Sequence, residues 1–206
     1  ERQCQAVLDA ERRSGRKLAV TFNYRYAPRH QRIKEILMSG ELGRVVAVAF
    51  DWHLDTEHGA DYFRRWHRRR ESSGSLLVHK ATHHFDLINW WLEAAPLEVT
   101  AYGALSHYGK NGPFRHSHCR PCPHKAECNF YFDLARDPQA SLFIGPDEVD
   151  GYRRDGCVFR EDIDIFDSMS ALVKYDNGTV MNYSLNAFMP FEGYQLVFTC
   201  EKGTLA

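Results

Sequence analysis

Two runs in which apolar and polar side chains alternate, Ile165–Tyr175 and Thr179–Phe188, are separated only by Asp176-Asn177-Gly178. Asn-Gly adopts the backbone that a tight hairpin demands, and period-two alternation turns one face to a core and the other to water. This part of the chain is therefore committed to antiparallel sheet, which a third run, Tyr194–Cys200, extends. Upstream, Arg44–His53 (RVVAVAFDWH) and the run that Pro96 opens (LEVTAYGAL) read as two further strands. Arg2–Ser14 reads as an amphipathic helix ended by Gly15, and Pro28 to about Ser39 as a second, with Ile33, Ile36 and Leu37 inward and Gly40 and Gly43 beyond its end. Between them the apolar run Leu18–Phe22 reads as a buried, parallel strand. The expected fold class is α+β: a mostly antiparallel open β-sheet backed by helices, preceded by the last helix and strand of a Rossmann fold.

A chain of 206 residues, 44% hydrophobic and 26% charged, is long enough for one large domain with a full core. A net charge of −1 makes no electrostatic case for nucleic acid or an anionic membrane. The segment Phe63–Arg70 (FRRWHRRR) is locally basic and offers an anionic group on a small ligand a foothold. No apolar stretch approaches the roughly 20 residues of a membrane helix, and no signal-peptide pattern is present, so the expected location is cytoplasmic. The chain opens at Glu1 without Met and stops at Glu-Lys-Gly-Thr-Leu-Ala straight after an alternating run, which reads as a piece of a longer polypeptide. The expected organisation is the end of a Rossmann domain over 1–24 and an α/β substrate domain over 25–206, interrupted by an irregular, Cys-rich insertion at about 107–162.

The densest chemistry lies in Ser73–Leu92, SGSLLVHKATHHFDLINWWL. Treated as one helix at about 100° per residue, it puts His79, His83, Asp86 and Trp90 on one arc and Leu77, Ala81, Phe85, Ile88 and Leu92 opposite. Imidazole titrates near neutrality, so a histidine bracketed by a second histidine and an acid is material for acid/base or metal chemistry. His83 is the candidate proton acceptor. Asp86, one turn on, could fix its tautomer or merely buttress the helix. Lys80 could reach the pocket edge and lower a neighbouring histidine's pKa, and His79 could relay a proton or bond substrate. Trp66 and Arg68 precede the turn into this helix; an indole stacks on a sugar face and a guanidinium grips an anion. Trp52 and Trp91 read as packing residues.

A second dense signal is Cys119-x2-Cys122-x5-Cys128, flanked by His116, His118 and His124, with Cys157 returning. Thiolates two residues apart can share one metal, and a fourth ligand would complete a structural tetrahedral zinc site. Free thiols or a disulfide are the alternatives.

The strand followed by Asn23-Tyr24-Arg25-Tyr26 and Pro28, the turn from Gly40 to Val48, the helix with His83-x-x-Asp86, the Asn-Gly hairpin and the late Glu201-Lys202-Gly203-Thr204-Leu205 occur in an order that resembles the C-terminal domain of the Gfo/Idh/MocA oxidoreductases. The resemblance implies a dihydrodipicolinate-reductase-like sheet domain that supplies a substrate pocket and an oligomer contact, joined to a Rossmann domain holding NAD or NADP. It implies that His83 is the catalytic histidine, that Asn23 and Tyr24 lie near the cofactor, and that Arg25, Trp66, Arg68 and Trp90 face a carbohydrate-like substrate. His79 stands where the family commonly carries an aspartate. The implied reaction is hydride transfer between NAD(P) and an alcohol carbon of a sugar, sugar acid or polyol, with little activity from this chain alone, since no Gly-rich phosphate loop is present. Two other readings remain: a metal-dependent hydrolase or lyase using His79 and His83, and a non-catalytic module for ligand binding or homo-oligomer formation through the open sheet.

Overall fold

The alternating runs pair as their pattern requires. In the computed structural model, which describes residues 2–206, strands β1 (Val45–Asp55), β2 (Pro96–Ala104), β3 (Ser168–Tyr175), β4 (Val180–Met189), β5 (Gly193–Cys200) and β6 (Gly203–Leu205) form one sheet in the order β2-β3-β4-β1-β5-β6. The hairpin between β3 and β4 turns at Gly178, with φ 84°. Every neighbouring pair is antiparallel except β1 with β4.

One face of this sheet is the core. Val48, Phe50, Trp52 and Leu54 from β1 and Met181, Tyr183, Leu185 and Ala187 from β4 are buried there. Leu76, Leu87, Ile88 and Trp91 cover them from the helix layer. Each large apolar side chain so buried contributes about 1.5–3 kcal/mol, so this layer fixes the fold. The opposite face is bare, and β2 is exposed along its whole length.

The helices are α1 (Arg2–Ser14), α2 (Pro28–Met38), α3 (His58–Arg64), α4 (Arg70–Ser73), α5 (Leu76–His79), α6 (Thr82–Leu92) and α7 (Asp147–Asp150). Pro28 opens α2 at a position where a missing N–H costs nothing. The helix α3 lies directly on β4: a Cβ at Gly59 would stand 1.9 Å from the Ala187 carbonyl oxygen, so only glycine allows this approach.

Two expectations fail. Leu18–Phe22 is not a strand; the run lies outside the sheet, with Leu18 47% and Val20 73% exposed, and it joins no ladder among the described residues. An apolar run becomes a buried strand only where neighbours satisfy its backbone groups, and the edges of this sheet, β2 and β6, lie elsewhere. The helix α1 likewise buries none of its residues. Nor is Ser73–Leu92 a single helix. Gly74 (φ 70°) and Ser75 (φ 86°) end α4, and after one turn of α5 the Ala81 N–H bonds back five residues to the Leu76 carbonyl. The His83 and His84 N–H groups then bond back only three residues, to Lys80 and Ala81, as α6 begins. The ladder changes register at Lys80 and Ala81, so angles counted across it do not hold.

Candidate functional site

The start of α6 receives the short 3-10 turn Asn23–Tyr26. Tyr24 stacks on His83, ring centroids 5.0 Å apart at 25°, while Phe22 meets the same imidazole edge-on at 5.9 Å. His83 Nδ1 is buried and has no hydrogen-bond partner. Burial first, and then Lys80, push the His83 pKa below the usual histidine value, with Asp86 opposing, so the ring is neutral at pH 7. The turn is anchored by His30, which no sequence signal singled out: its Nδ1 meets the Tyr24 carbonyl at 2.6 Å, and the His30 carbonyl accepts from Trp91 Nε1 at 3.0 Å.

Asp86 does not orient His83. Both its oxygens accept from Arg25, Nε to Oδ2 at 2.7 Å and Nη2 to Oδ1 at 2.5 Å. A guanidinium fork satisfies a carboxylate at two points at once and outcompetes a single imidazole N–H. Arg25 is thereby committed to holding the turn against α6 rather than free to take a ligand. Trp90, two turns beyond His83 on α6, lies beside this pair, its ring 5.8 Å from the Arg25 guanidinium and 5.7 Å from Lys34 Nζ.

Lys80 sits where the helix ladder breaks, and only 8% of it is exposed. Its ammonium stands 5.5 Å from the Trp52 ring centre, and that ring also stacks with His84 at 3.9 Å and with Tyr194 at 4.9 Å. Burial lowers the Lys80 pKa, and Glu192 opposes the shift. His84 is fully buried, with Nδ1 2.7 Å from the Tyr183 hydroxyl, and is a packing residue.

His79 enters a neighbouring aromatic nest. It meets His67 at 4.5 Å, Trp66 at 5.4 Å and Tyr62 at 6.0 Å, and its Nδ1 is buried without a partner. Burial, then His83, Lys80 and Arg65, lower its pKa. His67, stacked on Trp66 at 3.8 Å, is pushed down to about 4 by burial and by His79. Tyr62 continues the chain of contacts to His58, whose Nδ1 is 2.9 Å from Glu192. Beyond them lies an open cleft of ≈ 620 Å³, lined in part by Asp55, Glu57, Asp61, Arg154 and Glu192; His79, Lys80 and His83 adjoin this chain without lining the cleft.

Of the remaining candidates, Asn23 is exposed beside the Tyr24 stack. Arg68 does not reach the site: it donates to Asp162 at 2.8 and 3.0 Å, a pairing 94 residues long that sequence spacing cannot reveal. The break at Lys80 also removes the geometry behind a His79/His83 metal centre, since the two imidazoles no longer share a helix face. Among the described residues no three potential ligands stand close enough together, as placed, to hold a metal. Cys119, Cys122, Cys128 and Cys157 do line one small cavity, whose wall includes His118 but neither His79 nor His83. Tyr62, His58 and Glu192 are missed by sequence reading because α3 supplies the first two and the distant loop between β4 and β5 the third.

This open sheet backed by helices is a fold found among dehydrogenases of known structure. The chain superposes on the WlbA dehydrogenase of Bordetella pertussis, solved with NADH and UDP-GlcNAcA, at TM-score 0.62 and 16% identity, covering 97% of this chain and 46% of that one. It superposes on scyllo-inositol dehydrogenase of Lactobacillus casei, solved with NAD(H) and scyllo-inositol, at TM-score 0.55 and 14% identity, covering 93% and 42%. Residues 30–206 match the GFO/IDH/MocA C-terminal domain, and the chain belongs to that family. It is 43% identical over 219 residues to the Bacillus subtilis (strain 168) protein YteT, which is designated an oxidoreductase; the match covers 97% of this chain and 50% of YteT. The chain thus spans half the length of this curated relative. No helix among the described residues is long and apolar enough to cross a membrane.

Proposed function

We propose that this chain is the substrate-side half of an NAD(P)-dependent oxidoreductase that transfers hydride between the nicotinamide and an alcohol carbon of a sugar, sugar acid or polyol. The observation that carries the reading is His83, fixed ring-on-ring by Tyr24, kept neutral by burial and by Lys80, with Nδ1 unpartnered. A neutral imidazole whose pKa lies somewhat below working pH takes a hydroxyl proton as carbon loses hydride. Lys80, its pKa lowered by burial, donates a hydrogen bond to the same substrate oxygen, and His79 offers a second bond from the adjoining nest. Tyr24 and Trp52 fix the two groups from behind and keep water off them.

NAD(P), when bound, supplies the hydride acceptor. Exposed Asn23 and the Tyr24 edge beside His83 suit contact with a planar ring. No Gly-rich turn opening a helix occurs here to cradle a pyrophosphate, so that part of the cofactor falls to a preceding domain, to which we assign residues up to 24. Val7, Leu8, Leu18 and Val20, all exposed in this chain, supply the apolar contact such a domain would cover. The bare sheet face, with Tyr102 and Leu172 exposed, suits pairing with a second copy.

The test is to give the longer protein that carries this chain NAD+ or NADP+ with a panel of polyols, aldoses and uronic acids. Reduction of the nicotinamide with at least one of them is expected. Absence of turnover across the panel, with no cofactor binding, would contradict the reading.

A further inference from the structure

Cys119 and Cys122 share one turn of the irregular segment between β2 and β3, Cys128 and Cys157 come from elsewhere in it, and all four line one cavity with His118, Phe114, Phe130 and Val158. The cavity leaves about 10 Å³ free, room for the centre of a single atom-sized guest. Its geometry starts from the backbone. The Cys122 N–H bonds to the Cys119 carbonyl at 3.0 Å, closing a turn that brings these two side chains together. His118 pairs with Gly156 in an antiparallel bridge, which sets Cys119 and Cys157 diagonally across one face of it. Cys128 completes the ring through the loop that ends at Phe130.

Hydrogen-bond donors converge on the sulfurs. The Phe159 N–H donates to Cys157 Sγ at 3.4 Å, and the backbone N–H groups of Phe132 and Phe130 face Cys119 and Cys128. Arg64 donates from Nη1 to Cys119 Sγ at 3.5 Å. This guanidinium is 7% exposed, and its other acceptors are the Gly156 and Phe130 carbonyls; it forms no ion pair among the described residues. A buried cation without an anion is costly, and an anionic metal–thiolate group at Cys119 would give Arg64 the partner it lacks.

We propose that Cys119, Cys122, Cys128 and Cys157 bind a single zinc ion as a structural tetrathiolate site that staples this segment to α3 through Arg64. On binding, four S–H protons pass to solvent and four Zn–S bonds form; no electron changes hands, and the resulting double negative charge faces Arg64. The thiols stand around the void without meeting, and closure requires their side chains to rotate inward onto the ion. Zinc here is independent of the proposed hydride chemistry, because the site lies apart from His83.

Elemental analysis of the chain purified without chelator or added metal tests this, alongside mass measurement and thiol titration of the same sample. One zinc per chain is expected, released when an organomercurial titrates the thiols. Cobalt(II) exchanged into the site should give the strong visible absorption of tetrahedral sulfur ligation. Cys122→Ser and Cys128→Ser should each lose the zinc; should either fail to fold, the mercurial release and cobalt spectrum on unaltered protein still decide the matter. Metal-free protein with all four thiols titratable, a mass lower by two hydrogens from a disulfide, or iron with acid-labile sulfide would each overturn the proposal.

Discussion

Arg25 and Asp86, 61 residues apart in sequence, meet in a two-point ion pair with donor–acceptor distances of 2.5 and 2.7 Å. The pair clamps the Asn23–Tyr26 turn to α6 and so holds Tyr24 against His83. Asp86 is 9% exposed and Arg25 37%, so solvent screens one side. Asp86→Ala should cost about 1–3 kcal/mol in urea unfolding, because it strands a guanidinium against the helix. Asp86→Asn should cost less, retaining one hydrogen bond. Equal stability of all three proteins would show that the clamp carries no load.

Gly59 sets the height of α3 above the sheet. Gly59→Ala would drive a methyl into the Ala187 carbonyl, which is backbone and cannot swing away. A loss of about 3 kcal/mol or more is expected, read as a fall in thermal midpoint. Tyr62, on the same helix, should then lose its fixed place, visible in the near-UV circular dichroism.

Ser75 pays for the turn before α5. Its φ of 86° with ψ of 172° belongs to a region that glycine enters freely and other residues do not. Ser75→Gly should therefore stabilise the chain by about 1 kcal/mol, a rise of roughly 2–4 °C in midpoint for a protein of this size. A fall instead would mean that the serine side chain holds the turn, which its neighbour Ser73 already does through Oγ bonds to the His67 carbonyl and the Ser75 N–H.

How much of this was legible follows from the range of each signal. The Asn177-Gly178 hairpin and the alternation of β3, β4 and β5 are local patterns, and the sheet follows them. His83 stood out because it lies in a dense run of polar side chains, but the rings that hold it, Tyr24 and Phe22, come from a distant part of the chain. Arg25–Asp86, Arg68–Asp162 and His58–Glu192 are pairings across the fold, and no spacing rule anticipates them. The Leu18–Phe22 run failed for a third reason: apolar composition describes a side chain's need for cover but not which surface provides it. The break at Lys80 was hidden because Leu76–Leu92 keeps helical composition throughout, while the strain that ends the preceding turn is conformational.

The buried histidines make stability depend on pH. His67 binds a proton with pKa about 4 in the folded protein and near 6.5 when unfolded, and His84 and His79 are shifted in the same direction. Between those values the unfolded chain holds more protons, so stability is fully present above pH 6.5 and is lost as pH falls toward 4. The His67 contribution is at most about 3.5 kcal/mol, at roughly 1.4 kcal/mol for each pH unit between 6.5 and 4. Urea midpoints measured across this range should fall with acid, and His67→Gln should flatten the slope; an unchanged slope would mean that water reaches the ring.

The central claim is that His83 takes the substrate proton, and the most direct test is His83→Asn in the longer protein that carries this chain, assayed with NAD(P)+ and its best alcohol substrate. The expected result is a fall in kcat of about 10²–10⁴-fold with little change in KM, together with loss of an acidic limb in the kcat/KM profile whose midpoint lies below the usual histidine value. A variant that keeps both its kcat and that acidic limb would contradict the account and move the proton to another group, with Lys80 the next residue to replace.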